Sequence, residues 1–525
     1  QPARCVCFAL LNRRKLHEIA VHICQHFLDI SRKIHASALK FQLRERITAR
    51  PIHDAKGKAT GYTKYAGDLS LPNMAYLCML HSKIPHGYVK AVHAEKALAL
   101  PGVYGVYHCL NTSDRKYNRY RSSFNQAYLA NEERAFNQYV RFVGDKIGVV
   151  AACDQETAER AARLVEVEYE ELPFSIGFDD TLAGKNCLEG ETPVRDEYTL
   201  EVGKKQESTE GLIEVCSTME LPRLHHATME THACIADYDP YSDMLTVYCP
   251  NQAVHGIRTV LADFLEMPES HVRVVKATMG GSFGAKQEWF LEPVTALVAK
   301  KLCRPVKLVY SRGEAMTDTI VRGAMRMSAR GYYTPDGEMK EIYCDVTLDA
   351  GAYIGNAGDY VRALAGKPTR CYRIPYMHYH GQVISSNSPV SGAFRSWSAA
   401  EEALMMERQL DAAAEKLGMD RLAIRLKNVA RSGEEDKKLH LSLEDIRIGD
   451  AITLGSEKFG WDKLKAEDAA FNASQQRYRR GVGIGIGGHG NTYFPRFNDY
   501  GEGSISLNAD GSMQANFTLH DHGCG

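Results

Sequence analysis

The feature that most constrains the fold is a glycine-rich segment at 279–287, Met-Gly-Gly-Ser-Phe-Gly-Ala-Lys-Gln. A short apolar run at 272–277 precedes it and a helix-like run at 289–302 follows it, so the pattern predicts a strand, a tight turn and a helix. Glycine permits positive φ angles, and the N–H groups of such a turn can face an anion or an oxo group. A purely structural turn is the alternative. The segment is not a P-loop, because Gln287 follows Lys286, and it is not a GxGxxG turn.

The rest of the chain alternates short apolar runs with segments of helical periodicity, which is typical of an α+β protein. Strands are predicted at 74–80, 147–152, 165–169, 212–220, 231–238, 244–249 and 305–310. Helices are predicted at 157–164, 252–265, 399–417 and 421–429. The stretch at 174–205, which contains Gly, Asp and Pro, is interpreted as a linker. Asp336-Gly337 and Asp510-Gly511 predict turns between strands.

Composition narrows the function classes. The chain has 525 residues, and 64 Lys and Arg residues balance 65 Asp and Glu residues to give a formal net charge of −1. Nucleic-acid binders and polybasic membrane proteins usually carry a clear positive excess. No apolar run reaches about 18 residues, so no membrane-spanning helix is predicted. The 14 cysteines are mostly isolated, which is typical of free thiols in a reducing compartment and predicts a cytoplasmic protein.

A second candidate segment lies at 392–397, Gly-Ala-Phe-Arg-Ser-Trp. Arg395 suits an anion or a main-chain clamp, and Trp397 could stack on a flat ring. A surface Arg and a core Trp would explain the same residues. Arg362 lies in an otherwise apolar stretch, where a lone Arg is most often solvated or salt-bridged.

Two further groups contain metal-type ligands. The segment 225–232 holds three His and one Glu, but their spacing is not that of a zinc motif. Cys5 and Cys7 supply half the ligands of an iron–sulfur cluster, or they are two unrelated thiols.

In their order along the chain, these segments resemble the large, molybdenum-binding subunit of the xanthine dehydrogenase / aldehyde oxidase family. The matching residues are 58–68, Pro101-Gly102-Val103, Val143-Gly144-Asp145, His226 with Glu230, Asn251-Gln252, 280–287 and 392–397. The resemblance implies an α+β fold. Its expected parts are a short N-terminal helical segment (1–48), an α/β hammerhead domain (49–180), a mixed α/β first molybdopterin-binding domain (181–478) and the start of a second one (479–525).

Members of this family hydroxylate an aromatic or aldehyde carbon with oxygen from water. The resemblance therefore implies a molybdenum–molybdopterin cofactor, with the cytosine dinucleotide form as one alternative, and no protein ligand to the metal. It implies partner subunits with 2Fe-2S clusters and FAD, which take up the electrons. Because the family extends beyond the last residue, we expect either a truncated sequence or a companion polypeptide that carries the C-terminal half. No nucleic-acid or membrane partner is expected.

The resemblance also assigns roles to residues by position. The catalytic candidates are Gln252 near the molybdenum, Arg362 beside the substrate oxygen, and Gln287 in place of the glutamate of purine enzymes. The cofactor-binding candidates are Gly281, Phe283, Gly284, Arg395 and Cys524. The aromatic candidates that would sandwich a planar substrate are Trp397 and Tyr493.

Three functions follow from these assignments. Arg362 and the two aromatic positions favour a small heteroaromatic substrate, a xanthine-like purine. Gln287 leaves open the hydroxylation of another N-heterocycle such as nicotinate, or of an aldehyde. The changes at Gln287 and Cys524 leave a non-catalytic subunit that serves as a scaffold as the alternative from another class.

Overall fold

The computed structural model describes residues 54–120, 131–186, 188, 192–474, 477–489 and 502–517. The chain divides into two compact units, with the boundary between Thr63 and Lys64. The described part of the first unit contains one short helix, Ala55–Thr60, which ends at Gly61 in the left-handed conformation. The predicted helical segment 1–48, with Cys5 and Cys7, lies outside the described residues.

The larger sheet of the second unit has seven strands. It crosses the predicted boundary between the hammerhead domain and the first molybdopterin-binding domain. In spatial order the strands are Val272–Lys276, Met244–Cys249, Ala233–Asp239, Val306–Val309, Ala75–His81, Lys146–Ala152 and Val103–His108. Ala75 pairs with Val306 in parallel register, and this pairing joins the N-terminal strands to those of the later domain. All residues of Lys146–Ala152 are buried, as expected for a strand that is covered on both faces.

A second sheet of five strands carries the other large core. Its order is Ile213–Leu221, Ala324–Tyr333, Met339–Asp349, Tyr376–Ile384 and Val194–Gly203. The 19-residue helix Ala399–Leu417 covers this sheet. Gln409 of that helix is fully buried. It donates from Nε2 to the carbonyl of Val215 (2.9 Å) and accepts from Ser217 Oγ (2.6 Å), which fixes the helix against the first strand.

Short sheets and helices complete the described chain. The remaining strands are Gly87–His93 with Tyr139–Val140 and Glu166–Glu171, Lys116–Tyr117 with Glu133–Arg134, Glu435–Asp436 with Leu441–Ser442, and Gly503–Leu507 with Met513–Phe517. The remaining helices are Glu95–Leu98, Gln155–Ala162, Phe178–Leu182, Val254–Leu265, Glu292–Leu302, Arg312–Asp318, Ala357–Leu364, Pro368–Cys371, Arg421–Asn428, Ile448–Phe459 and Trp461–Ser474. Ala66–Asp68 and Glu269–His271 are 3₁₀ turns.

The predicted α+β class is confirmed, and so is the strand, turn and helix around the glycine-rich segment. The helix begins at Glu292 and not at 289, with Pro293 in its first turn, where the missing N–H costs nothing. The linker predicted at 174–205 is wrong over part of its length. Val194–Gly203 is an edge strand paired with Tyr376–Ile384. Tyr198, Leu200 and Val202 alternate with polar residues, as in a half-buried strand, but the Gly, Asp and Pro residues before it favour a linker.

The cysteines and the helices of the structure bear on two sequence predictions, the reducing compartment and the lack of a membrane-spanning helix. The nine cysteines that the structure describes are all free thiols; the reducing compartment and the cytoplasmic location stay predictions. Among the described helices, none combines the length and the apolar character that a bilayer crossing requires.

A buried ion cluster lies where the N-terminal strands meet the later domain. Glu133 accepts from Arg119 Nε (2.7 Å) and from Lys146 Nζ, and all three side chains are at most 3% exposed. Lys146 also lies 3.9 Å from a carboxylate oxygen of Asp318. Burial by itself would raise the pKa of Glu133, but Arg119 and Lys146 outweigh burial and lower it. The carboxylate therefore compensates two cations that have no access to water.

We predict that Glu133→Gln destabilises the protein by about 3–5 kcal/mol, because it leaves two buried cations with reduced compensation. Glu166, which pairs with Lys96 at 65% and 70% side-chain exposure, supplies the matched control. Glu166→Gln should leave the stability nearly unchanged, because the pair is exposed to solvent. Urea unfolding of the full chain measures both, and equal losses would contradict the prediction.

Candidate active site

The glycine-rich segment leaves regular structure in an unusual main-chain conformation. Gly281 and Gly284 have φ angles of 96° and 105°, and Phe283 between them has a φ of 54°. Glycine adopts such angles without strain, whereas Phe does not. The Phe283 side chain is also 54% exposed, although a benzyl group is usually buried. Both features indicate that this segment contacts a group outside the protein core.

Four successive main-chain N–H groups of this segment are open. The amides of Gly281, Ser282, Phe283 and Gly284 donate to no acceptor among the described residues, whereas the flanking amides are engaged. Gly280 donates to a side chain of Glu230, Ala285 to the carbonyl of Ser282, and Gln287 to the carbonyl of Gly284. Successive N–H groups without partners form a cradle for an oxygen-rich or anionic group.

A single carboxylate ties the two ends of the cradle together. Oε2 of Glu230 accepts from the amide of Gly280 (2.7 Å) and from Lys286 Nζ (2.6 Å). The Lys286 side chain is 2% exposed. Burial lowers the pKa of Lys286, and the charge of Glu230 opposes this shift. The ion pair thereby holds both ends of the turn to one point, and the open amides lie in the loop between them.

Gln252 lies against the same turn. Its Oε1 accepts from Ser282 Oγ (2.6 Å), and its amide donates to the carbonyl of Lys286 (2.8 Å). The preceding residue, Asn251, donates from Nδ2 to the carbonyl of Glu288 (2.8 Å). The Asn-Gln pair therefore aligns with the turn through its main chain and both side chains.

The second sequence segment, 392–397, packs directly on the first. A Cβ on Gly284 would lie 2.5 Å from the carbonyl oxygen of Ala393, so only glycine permits this approach. The same carbonyl accepts from His226 Nε2 (2.8 Å). Burial lowers the pKa of His226 to about 4, which keeps the ring neutral. The contact brings Arg395 to the region of the turn, with an exposed side chain that has no partner among the described residues.

Trp397 lies in a strained main-chain segment. Ser396, Trp397 and Ser398 have φ angles of 71°, 43° and 65°, and the left-handed conformation costs about 1–2 kcal/mol for each non-glycine residue. The indole packs at an angle against the ring of Tyr360, with 5.3 Å between ring centroids. Strain of this size concentrates at functional sites, where the surroundings enforce it.

Arg362 makes a different set of contacts. Its Nη1 and Nη2 donate to the two carboxylate oxygens of Asp196 at 2.5 Å and 2.8 Å, and the Arg362 side chain is 8% exposed. Tyr360, two residues earlier on the helix, carries the contact to Trp397, so Arg362 points to another side of that helix. No contact described in the structure joins Arg362 to the turn, and its role towards a substrate stays a prediction.

The remaining predicted residues fall into three groups. Gln287 follows the turn with a half-buried amide side chain that has no described partner. Tyr493 and Cys524 lie outside the described residues. The histidines of 225–232 bond separately, to Thr319, to the Ala393 carbonyl and to the Ala285 carbonyl. Among the described residues, no three or more His, Cys, Asp or Glu side chains are arranged so that they could hold a metal ion.

The sequence analysis missed Glu288, which lies between the two segments. A Cβ on Gly392 would approach its Oε1 to 2.6 Å, and the side chain is 1% exposed. Neither carboxylate oxygen has a hydrogen-bond partner of ordinary geometry; the amide of Ala393 faces it. Burial raises the pKa of Glu288 to about 8. An acidic residue followed by Trp289-Phe290-Leu291 is a signal that could have revealed a buried carboxyl group.

Three family models match the chain. The aldehyde oxidase and xanthine dehydrogenase a/b hammerhead domain matches residues 60–173, and the molybdopterin cofactor-binding domain matches residues 191–429 and, in a second family model, 454–525. The nicotinate dehydrogenase large molybdopterin subunit of Eubacterium barkeri is 30% identical over 384 residues, which cover 72% of this chain and 88% of that protein. The chain belongs to the xanthine dehydrogenase and aldehyde oxidase family.

Other relatives place the chain within this family. The xanthine dehydrogenase molybdenum-binding subunit of Escherichia coli O157:H7 is 29% identical over 475 residues, which cover 88% of this chain and 61% of that subunit. The chain therefore spans about 61% of the length of that Escherichia coli subunit. The quinoline 2-oxidoreductase of Pseudomonas putida 86 has the same fold, with a TM-score of 0.80 and 21% identity over 91% of this chain and 63% of that one. The family fold predicted from the sequence, hammerhead and molybdopterin-binding domains, is thus confirmed.

We predict that Gly284→Ala destabilises this family member by about 2–5 kcal/mol, because the new Cβ adds a clash with Ala393 to the strain of a positive φ. Gly177, which has a φ of 83° and no atom within 4 Å of the place that a Cβ would take, supplies the control for strain alone. Gly177→Ala should cost about 1–3 kcal/mol, because φ and ψ of 83° and 167° are essentially restricted to glycine. Urea unfolding compares the two, and a cost at Gly284 no larger than at Gly177 would show that the contact is not tight.

We predict that Glu288→Gln has a higher Tm than the wild-type protein, and that this difference in Tm grows as the pH rises from 5 to 8. The folded protein keeps the Glu288 proton up to a pKa of about 8, whereas the unfolded chain loses it near 4.5. The folded state then binds more protons in this window, so wild-type stability falls as the pH rises. The amide does not titrate and escapes this loss.

Thermal unfolding of both proteins across this pH range measures the difference, in which the titration of shared groups such as Glu292 largely cancels. Glu156→Gln, on an exposed helix position, is the control for removal of one carboxylate. A difference for Glu288→Gln that does not change with pH would contradict the predicted protonation.

Proposed function

We propose that the chain is the molybdenum-cofactor-binding subunit of a hydroxylase that oxidises a planar N-heteroaromatic substrate, a xanthine-like purine first, with oxygen from water. Electrons would pass to partner subunits that carry 2Fe-2S clusters and FAD. The observation that supports this proposal most strongly is the row of four open amides at 281–284, in contact with the segment of Arg395.

The residues at the cradle fit a molybdopterin cofactor. The open amides of Gly281, Phe283 and Gly284 can donate to oxygen atoms of such a group, and Gln252 lies against the same turn. Arg395 offers an exposed guanidinium, whose fork of donors matches phosphate oxygens. Cys524 is proposed as a further cofactor contact. When bound, the cofactor supplies the two-electron oxidation, and the chain binds and orients it.

The substrate side is proposed from Trp397, Tyr493 and Gln287. The indole of Trp397 is partly buried and would supply one flat face to a planar ring, and Tyr493 would supply the opposite face. The amide of Gln287 can donate to a ring carbonyl and accept from a ring N–H. It cannot deliver a proton as a carboxylic acid does, so the chemistry of this position differs from that of a glutamate.

A second candidate, hydroxylation of nicotinate or an aldehyde, is favoured by the pairing of Arg362. A guanidinium that is buried and bound to both oxygens of Asp196 is already neutralised. Such a group stabilises a developing negative charge on a substrate less well than an unpaired one. The nicotinate dehydrogenase relative supports the same alternative.

We predict that Arg395→Met lowers the molybdenum and pterin content of the natively purified protein several-fold, because the cofactor loses its guanidinium contact. Arg408→Met, at an exposed position on the helix Ala399–Leu417 without described partners, should keep wild-type content. Metal analysis and pterin fluorescence measure this, together with the masses of all co-purifying chains. A wild-type protein without molybdenum would favour the scaffold function.

We predict that Arg362→Met lowers kcat/KM for a purine by about 10²–10³-fold, as loss of an oxyanion donor does, and lowers that for an aldehyde much less. A substrate panel with Asp196→Asn as the companion variant measures this. Equal losses on purines and aldehydes in both variants would assign the pair a structural role and leave the second candidate in place.

A further inference from the structure

We propose that Lys367 is a positioning residue that holds the main chain of Trp397 in its left-handed conformation and so sets the orientation of the indole. The link to substrate binding rests on the proposed function of Trp397. The positioning itself is a property of the folded chain and can be measured without turnover.

The segment that Lys367 contacts does not hold its conformation by intrinsic preference. Ser396, Trp397 and Ser398 are three successive non-glycine residues with positive φ. Serine and tryptophan rarely adopt this conformation, whereas glycine does so freely. Within the segment, the amide of Trp397 donates to the carbonyl of Phe394 (2.8 Å), and that of Ala399 donates to the carbonyl of Ser396 (3.1 Å). Something beyond these local bonds must stabilise it.

Lys367 contacts all three residues with one group. Its Nζ donates to the carbonyl of Trp397, to Ser398 Oγ (2.9 Å) and to the carbonyl of Ser396 (3.5 Å). An ammonium group has three donors, and these three acceptors match them. Lys367 is only 8% exposed, so water does not compete for the same hydrogens. The carbonyl groups face Lys367 only while the segment keeps its left-handed turn.

Neighbouring acidic side chains favour the charged form of Lys367. Glu402 and Glu401 attract Lys367, while Arg370 opposes its charge. Glu401 itself pairs with Arg322 (3.2 Å). Burial lowers the pKa of Lys367 and raises that of Glu402. A buried lysine with little access to water is costly unless it is paired and hydrogen-bonded, and here its hydrogen bonds go to the strained segment.

The indole ring of Trp397 contacts two tyrosine rings. Tyr360 packs against it at 5.3 Å between centroids, and Tyr120 lies 6.5 Å away. The Tyr360 hydroxyl also faces the main chain of Ser398, whereas the carbonyl groups of Ser396 and Trp397 bond to Lys367. The rings therefore set where the indole rests, and Lys367 determines whether the main chain presents it there.

The test is the 19F resonance of Trp397 in the full chain labelled with 5-fluorotryptophan. The chain has three tryptophans, and Trp289 and Trp461 are buried elsewhere, so they report on general folding. Trp397→Phe assigns the signal. We expect Lys367→Met to shift or broaden the Trp397 signal alone. The matched control is Lys437→Met, at a partly buried lysine that donates to the carbonyl of Pro375 (3.0 Å); it should leave all three signals in place.

Rescue distinguishes positioning from general stabilisation. Glycine at 396 and 398 removes most of the strain, so Lys367→Met combined with Ser396→Gly and Ser398→Gly should return the Trp397 signal towards its wild-type position. An unchanged Trp397 signal in Lys367→Met would overturn the proposal. If Lys367→Met does not fold, the triple variant decides: failure to fold, or a signal that stays displaced, would also overturn it.

Turnover then tests the link to substrate. With a substrate identified for the wild-type protein, Lys367→Met should lower kcat/KM roughly 10- to 100-fold through misorientation of the ring, and Lys437→Met should not. A displaced Trp397 signal with unchanged kinetics would contradict the substrate role of Trp397 and leave the positioning role intact. An inactive wild-type protein would contradict the proposed function alone.

Discussion

The carboxylate of Glu230 is the interaction on which the site depends. It binds the amide of Gly280 and the ammonium group of Lys286, six residues later, and so closes the glycine-rich segment into a loop. The open amides at 281–284 occupy the part of the loop between these two anchors. Without this tie, a segment with three glycines would sample many conformations, because glycine loses more main-chain freedom on folding than any other residue. A preorganised donor row binds an oxygen-rich group without that loss.

The larger sheet provides the rigid support behind the loop. Strands from both sides of the predicted domain boundary pair through Ala75 and Val306, and the buried cluster around Glu133 compensates charges at the same junction. The amide of Trp289 donates to the carbonyl of Arg119 (3.2 Å), which links the end of the glycine-rich segment to that cluster. The hammerhead strands therefore stabilise the site although they contribute none of its proposed contacts.

Particular elements show what the amino-acid pattern could predict. The helix Ala399–Leu417 has the predicted bounds, because its apolar face repeats at helical spacing. The strand Val194–Gly203 was missed although Tyr198, Leu200 and Val202 alternate with polar residues, because the Gly, Asp and Pro residues before it favour a linker. In the site, the two glycine-containing segments were found from their residues. Their contact, through Gly284 and Ala393, could not be found, because more than 100 residues separate them in the sequence.

The sequence by itself determined the family, the α+β class and the turn between a strand and a helix, because glycine content, apolar periodicity and motif order are local properties. Only the tertiary structure decided which groups are open and which are engaged. It bound Arg362 to Asp196, placed Glu288 where burial raises its pKa, and set Lys367 beneath the strained segment at 396–398. Burial and pairing depend on neighbours that are distant in sequence, so no single stretch of the chain encodes them.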